Sequence, residues 1–174
     1  MKKYKNVVQY VLPPILLGVL VLLGYTLTKT QEIPFETIEI AEWGKARELY
    51  DSQEPKLVIL AKTQDVLNLD NTISDGAQIG LQNLDYVRYF ALGVYQGLKG
   101  TNMYGAEIQS ILRKGNAIIV YAHFTERDPS IGAGAIMTSP YHIVKIPRQG
   151  LNGKIEFVLY SDDKEIIRQY YTMP

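Results

Sequence analysis

The sequence contains no cysteine, so disulfide bonds, thiolate nucleophiles and cysteine-ligated metals are all excluded. It has only two histidines, His123 and His142, which leaves little material for a histidine-based metal site or an acid–base pair. It also lacks a charge excess, because 18 basic residues balance 18 acidic ones. No stretch of the chain concentrates lysine and arginine in the way that a nucleic-acid-binding surface requires.

A long uncharged run is present at the N-terminus. Lys2, Lys3 and Lys5 precede a segment that has no charged residue from Val7 to Leu27. A helix of this length spans about 30 Å, the thickness of the hydrocarbon core of a bilayer. Lysines before the segment place the N-terminus in the cytoplasm. We therefore predict that residues 1–28 form a cytoplasmic N-terminus and a single-pass membrane anchor that contacts lipid through residues 7–27. The following domain is then extracytoplasmic, in a periplasm or at a cell surface.

Other interpretations of this segment stay open. Pro13 and Pro14 interrupt the apolar run, so a helix is kinked or begins there, and Ile15–Leu27 alone is short for a membrane span. A charged start followed by an apolar run is also typical of a cleaved signal peptide, although no small-residue cleavage site follows the run. A buried helix of a soluble protein is the third interpretation.

Beyond a predicted polar linker at residues 29–34, the patterns indicate many strands. Short apolar or alternating runs predict strands at 35–41, 56–62 and 85–97, the last buried on both faces. Two more strands, Ala106–Leu112 and Ala117–Phe124, are joined by a turn at Lys114–Asn116, where glycine and asparagine supply positive φ angles.

A short helix is predicted over Gln64–Leu69 with Thr63 as its N-cap, and residues 70–84 are predicted to be a loop because they are polar and have no period. Tyr141–Pro147 is predicted as an edge strand, and residues 149–174 as a C-terminal hairpin extension. The expected fold is mainly β (α+β), a small sandwich or open barrel with one short helix, and its main domain covers residues 35–148.

The best local candidate for catalysis is Ser139, three residues before His142. Pro140 between them favours an extended backbone, in which residues three apart point to opposite faces, so the two side chains diverge. A metal site that combines His123 and His142 with Glu126 or Asp128 has no supporting spacing motif. We expect no catalytic residue, cofactor or metal.

The order of motifs in the second half resembles a known family. Asp85 opens a long apolar strand that ends near Gly97, Tyr104–Gly105 leads into the hairpin, and the run "TSPYHIVKIP" at Thr138–Pro147 closes the pattern. Over residues 35–148 this arrangement resembles the PrcB-like domain of protease stability complexes, although the helix carries Leu67 or a neighbour where the family usually has tryptophan. The resemblance implies an exported, membrane-associated accessory protein that stabilises a subtilisin-like protease complex.

We therefore predict a non-catalytic accessory protein that binds and stabilises a protein partner, either an exported protease or a membrane complex. The exposed edge of Tyr141–Pro147 or of the final strand is expected to accept a partner strand. The residues expected to contact the partner are Tyr104, Tyr141, His142, Ile143 and Lys145.

Alternative functions are also open. The chain would also suit a small subunit of an energy-transducing membrane complex, a ligand-binding β domain, or a hydrolase using Ser139, His142 or His123. The 13 tyrosines suit sheet packing or, alternatively, an aromatic contact surface.

Overall fold

The computed structural model describes residues 30–41, 49–126, 128, 130, 132 and 135–174. The predicted membrane anchor lies outside these residues. Across the described ranges, no helix combines the length and the apolar character that a membrane crossing needs.

Nine strands form two sheets, which confirms the expected β-rich fold. In chain order the strands are β1 Thr30–Glu32, β2 Glu36–Ala41, β3 Lys56–Leu60, β4 Tyr89–Tyr95, β5 Gly105–Lys114, β6 Ala117–Thr125, β7 Tyr141–Pro147, β8 Gly153–Ser161 and β9 Lys164–Met173. The five-stranded sheet has the order β1-β5-β6-β8-β9, and the four-stranded sheet has the order β2-β7-β4-β3. All neighbouring strands are antiparallel except β6 and β8, which are parallel.

Helices cover the outer side of the four-stranded sheet. They are α1 (Thr63–Val66), a 3-10 helix (Leu67–Thr72) and α2 (Asp75–Gln82). Val66, Ile73 and Leu81 are buried in one cluster with Tyr141 and Ile143 of β7. The described chain therefore forms three layers, which are helices, four-stranded sheet and five-stranded sheet.

The main core lies between the two sheets. It includes Phe90 and Val94 from β4, and Val120 and Phe157 from the five-stranded sheet. The rings of Phe90 and Phe157 meet edge to face, with their centres 6.1 Å apart. Because helices pack on one face of β4 and the other sheet on its second face, both faces are apolar, as predicted for a central strand.

Two of the predicted connections are regular elements. Thr30–Glu32, predicted as part of a linker, is β1 and pairs with the end of β5. Part of 70–84, predicted as a loop, is α2. Ser74 caps this helix by accepting a hydrogen bond from the Ala77 N–H, and Ala77 and Leu81 are buried. Gly76 and Gly80 weaken the intrinsic preference for helix, which tertiary packing overrides here.

The predicted edge strand and C-terminal extension also differ from the observed arrangement. β7 is not an edge strand, because β2 and β4 pair with its two edges. Residues 149–174 do form the predicted hairpin, but β8 pairs with β6 inside the five-stranded sheet. The side chains of Ile155, Phe157 and Leu159 belong to the main core, so the hairpin is an integral part of the domain.

Candidate functional site

His142 lies in the gap between the two sheets and is 2 % exposed. Its Nδ1 accepts a hydrogen bond of 2.8 Å from the Ile108 N–H of β5, and its Nε2 lies 2.9 Å from the Thr37 hydroxyl of β2. An Nδ1 that accepts a hydrogen bond requires the neutral tautomer with the proton on Nε2, which then donates to Thr37. The imidazole therefore connects three strands from both sheets.

This arrangement gives His142 a structural role. β1 pairs only with the last residues of β5, from Leu112 to Lys114, so Ile108 has no strand partner on that side. The imidazole satisfies this buried donor, which would otherwise be costly. Burial lowers the pKa of His142, against a smaller raising effect of Glu107, so the side chain is neutral at neutral pH.

Ser139 and His142 do not form a pair, as the extended backbone predicts. The Ser139 hydroxyl is buried without a hydrogen-bond partner, and both ring nitrogens of His142 have other partners. His123 is half-exposed and lies 3.5 Å from the carboxylate of Asp162. No group of three or more potential metal ligands lies together among the described residues.

The five residues predicted to contact a partner do not share a surface. Tyr141, His142 and Ile143 are buried. The Tyr141 hydroxyl donates to Glu39 at 2.7 Å and accepts from the Ser74 N–H at 3.0 Å. Tyr104 lies just before β5 at one end of the sandwich, and Lys145 lies toward the other end of β7, where it pairs with Glu36 at 2.8 Å. Strand addition at β7 is not available, because both of its edges are occupied.

A groove lies where β4 begins and β7 ends, and it has a volume of about 1040 Å³. Its two arginines are already engaged. Arg88 pairs with Asp85 at 2.6 Å, and Arg148 donates to the carbonyl of Tyr86 and to the main-chain oxygen of Pro174. Burial raises the pKa of Tyr86 to about 12, and the hydrogen bond from Arg88 lowers the pKa of Asp85. Both shifts move the pKa values of these two groups away from the neutral range in which a general acid or base works best.

The outer face of the five-stranded sheet is the second candidate. The described helices pack on the four-stranded sheet, and none of them covers this face. Neighbouring strands place aromatic and aliphatic side chains side by side along its centre. We call this patch the tyrosine face; it consists of Leu112, Ile119, Tyr121, Val158 and Tyr160.

The tyrosine face combines an apolar centre with a charged border. The rings of Tyr121 and Tyr160 stack with their centres 5.4 Å apart. Along the border, Arg168 contacts both Glu156 and Glu165 at 2.6 Å, and these contacts lower the pKa of both carboxyl groups. A partly exposed aromatic centre inside a polar border is the usual composition of a protein–protein interface.

The sequence analysis noted the excess of tyrosine but assigned partner contacts to Tyr104 and Tyr141. One signal was available in β6, where Ile118 and Val120 alternate with Ile119 and Tyr121. Apolar residues at every position indicate that both faces of a strand are covered or make contacts. The tertiary structure was needed to show that no described helix packs on one of these faces.

Comparisons of the chain with protein-family models, with curated proteins and with solved structures found no match. The resemblance of residues 35–148 to the PrcB-like family therefore stays a prediction that depends on the motifs quoted above.

Proposed function

We propose that this protein is a non-catalytic accessory protein. In this proposal an N-terminal anchor over residues 7–27 holds the β domain at the extracytoplasmic side of a membrane. There the domain binds and stabilises a protein partner, either an exported protease or a membrane complex. The observation that carries the proposal is the tyrosine face, an aromatic and aliphatic patch of intermediate exposure around the buried Val158, on a sheet whose opposite face forms the main core.

A membrane anchor would allow a patch of this small size to support binding. Confinement to a membrane raises the effective concentration of the domain near other membrane components, so that weak contacts suffice for assembly. The border of ion pairs around Arg168 favours a partner that presents an apolar patch surrounded by polar groups, because a wholly apolar partner would leave these charges desolvated.

Photo-crosslinking on the full chain in its native membrane tests this function. A photoreactive phenylalanine derivative at Tyr160 should give a discrete crosslinked product with one partner, and the same group at Ile79 on α2 should not. Ile79 is a matched control because it is 59 % exposed but lies on the helix-covered side. Crosslinking from Ile79 alone, or from neither position, would contradict the proposed contact surface.

A second variant separates the fold from the interface. Replacing Tyr121 and Tyr160 together by serine should lower recovery of the crosslinked partner in detergent, while the thermal transition stays cooperative. Alkaline carbonate washing tests the anchor separately, because an anchored chain stays with the membrane.

Small-ligand binding is a second candidate, favoured by the groove between Asp85–Tyr89 and Pro147–Asn152. A thermal-shift screen tests it, since a ligand that binds only the folded state raises the melting temperature. Loss of that shift on changing Asn152, an exposed residue of the groove lining, to alanine would place the ligand in the groove.

A further inference from the structure

Basic side chains collect at one end of the sandwich, which we call the Thr30 end because the continuous described chain begins there. Thr30 pairs with Lys114, the last residue of β5. The parallel strands β6 and β8 both begin at this end, which brings Lys154 beside the β5–β6 turn. The side-chain amide of Asn116 in that turn donates to the carbonyl of Lys154. Arg113 lies at the same end, where its guanidinium donates to the carbonyl of Gly150 at 2.7 Å.

The opposite end is acidic. β6 and β8 end there, and their following turns carry a series of carboxylates, namely Glu126, Asp128, Asp162 and Asp163. Lys99 and Lys164 lie at the same end and offset part of this negative charge. A negatively charged surface would therefore favour contact with the Thr30 end over the other.

A shallow pocket lies at the Thr30 end, on the outer face of the five-stranded sheet. It has a volume of about 410 Å³. Its lining residues are Lys114, Asn116, Ala117, Lys154, Glu156 and Tyr170. Ala117 lies in register between Lys114 and Glu156, and its methyl group is too small to fill that row, which leaves the space open.

The charges of this pocket favour an anion. Lys154 Nζ lies 4.4 Å from the centre of the Tyr170 ring, which holds the ammonium at the pocket. The one carboxylate, Glu156, accepts hydrogen bonds from Arg168 at 2.6 Å and from the Tyr170 hydroxyl at 3.0 Å. Arg168 offsets only part of the charge of Glu156, because it also contacts Glu165 at 2.6 Å. The lining still has two lysines against one carboxylate, which makes the pocket positive.

Chain length fixes how far this end can lie from the proposed anchor. Two residues, Thr28 and Lys29, lie between Leu27 and Thr30. The chain therefore makes three steps from Leu27 to Thr30, each of at most about 3.6 Å when fully extended, or about 11 Å in all. The headgroup layer on each side of a bilayer is about 5–8 Å thick. An anchor that ends at Leu27 therefore brings the Thr30 end against the lipid headgroups.

We propose that the Thr30 end docks on anionic phospholipid headgroups, with Lys114 and Lys154 binding a lipid phosphate in the pocket over Ala117. This proposal rests on the membrane anchor of the proposed function. Docking holds the strands roughly perpendicular to the membrane plane, so that the acidic end points away from the bilayer. The tyrosine face is then at the side of the domain, where a membrane-bound partner can reach it. Lysine is a common phosphate binder, and juxtamembrane basic groups are attracted to anionic lipid.

Lipid-dependent quenching on the full chain tests the docking. The chain has no cysteine, so a single engineered cysteine carries the fluorophore: Asn152→Cys reports on the Thr30 end, and Asp163→Cys reports on the acidic end. Each labelled chain is reconstituted in phosphatidylcholine vesicles with or without phosphatidylglycerol, both containing a quencher attached to lipid headgroups. We expect strong quenching of the label at position 152 only in vesicles with phosphatidylglycerol, and weak quenching at position 163 in both.

Charge reversal identifies the lysines. Lys114→Glu with Lys154→Glu should reduce quenching at position 152 to its value in neutral vesicles. Lys99→Glu with Lys164→Glu makes the same change in net charge at the acidic end and should leave the quenching unchanged. Equal quenching at position 152 in both lipids, or quenching that survives the first pair of substitutions, would overturn the proposal.

Flotation after an alkaline carbonate wash distinguishes this failure from failure of the anchor. A chain that floats with the vesicles but shows no lipid-dependent quenching has an anchor and no docking. A chain that the wash releases has no anchor, and the proposed function fails with it.

Discussion

At the scale of single residues, His142 shows how one buried polar group can join two sheets. Strand pairing leaves the Ile108 N–H without a partner, and the imidazole of β7 accepts it while it donates to Thr37 of β2. An aromatic hydrocarbon of similar size would fill the space but would leave the donor unsatisfied. The side chain is therefore held by hydrogen bonding as much as by packing.

We expect His142→Phe to destabilise the fold by about 1–3 kcal/mol, the usual cost of a buried donor without a partner. His123→Phe is the matched control, because the His123 side chain is half-exposed and surface changes usually stay within about 0.5 kcal/mol. Urea unfolding followed by circular dichroism measures both. Equal effects of the two substitutions would show that the hydrogen bonds of His142 do not contribute to the free energy of unfolding.

We also expect the destabilisation caused by His142→Phe to depend on pH. Burial lowers the folded-state pKa of His142 below its usual value of 6.5, so on acidification the unfolded chain takes up a proton before the folded protein does. The stability contributed by this group is thus complete above about pH 6.5 and is lost as the pH falls toward the lowered folded-state pKa. The difference in unfolding free energy between wild type and His142→Phe should therefore narrow from about pH 7.5 to about pH 5. A difference that widens over this range would contradict the neutral tautomer.

Gly97 occupies a second position at which the structure requires a particular residue type. Its φ is +92°, and a Cβ there would lie 2.3 Å from the Gln53 carbonyl oxygen. Gly97→Ala should cost at least about 2 kcal/mol, from backbone strain and the clash together. Gly100→Ala is the control, since nothing lies within 4 Å of its Cβ position. Thermal melts compare the two, and equal melting temperatures would show that residues 53 and 97 move apart easily.

At the scale of elements, the missed helix α2 and the misplaced strand β7 have related causes. α2 has a weak intrinsic preference for helix, and it is stabilised by the Ser74 cap and by burial of Leu81 against β7 and its neighbours. β7 was assigned to an edge because Pro140 and Pro147 bound it. Its long-range pairing with β2, which lies 100–109 positions earlier in the sequence, follows no local pattern.

Packing rather than propensity should therefore decide the stability of α2. Leu81 is fully buried and Ile79 is 59 % exposed on the same helix. Leu81→Ala should cost about 2–5 kcal/mol, whereas Ile79→Ala should stay within about 0.5 kcal/mol. Chemical unfolding of both variants checks this, and similar losses would mean that the helix does not pack as described.

At the scale of the whole molecule, side-chain hydrogen bonds link the two sheets along both sides of the sandwich. His142 links the β5 side, and on the other side Gln169 of β9 donates to the Leu57 carbonyl of β3 at 2.9 Å. Near it, the Tyr171 hydroxyl donates to Asp65 at 2.8 Å, and burial followed by this hydrogen bond raises the pKa of Tyr171 to about 12. The C-terminal hairpin thus contributes side chains to the main core and also hydrogen bonds that link the two sheets along one side.

The hairpin should therefore unfold together with the rest of the domain. Phe157→Ala removes a fully buried ring and should cost about 3–5 kcal/mol in a single cooperative transition. Tyr170→Ala, in the same hairpin but 59 % exposed, should cost far less. Fluorescence and circular dichroism should give coincident curves for Phe157→Ala; an early separate transition would mark the hairpin as an independent extension.

Local patterns in the sequence determined most of the strands, the Lys114–Asn116 turn, the C-terminal hairpin and the burial of β4 on both faces. Alternation, apolar runs and turn residues act within a few positions of each other and can be read without the fold. The tertiary structure alone decided the pairing of β1, β2 and β8, the formation of α2, the role of His142 and the choice of uncovered face. Each of these depends on contacts between residues far apart in the chain, and the free energy of such contacts exists only once the layers have packed.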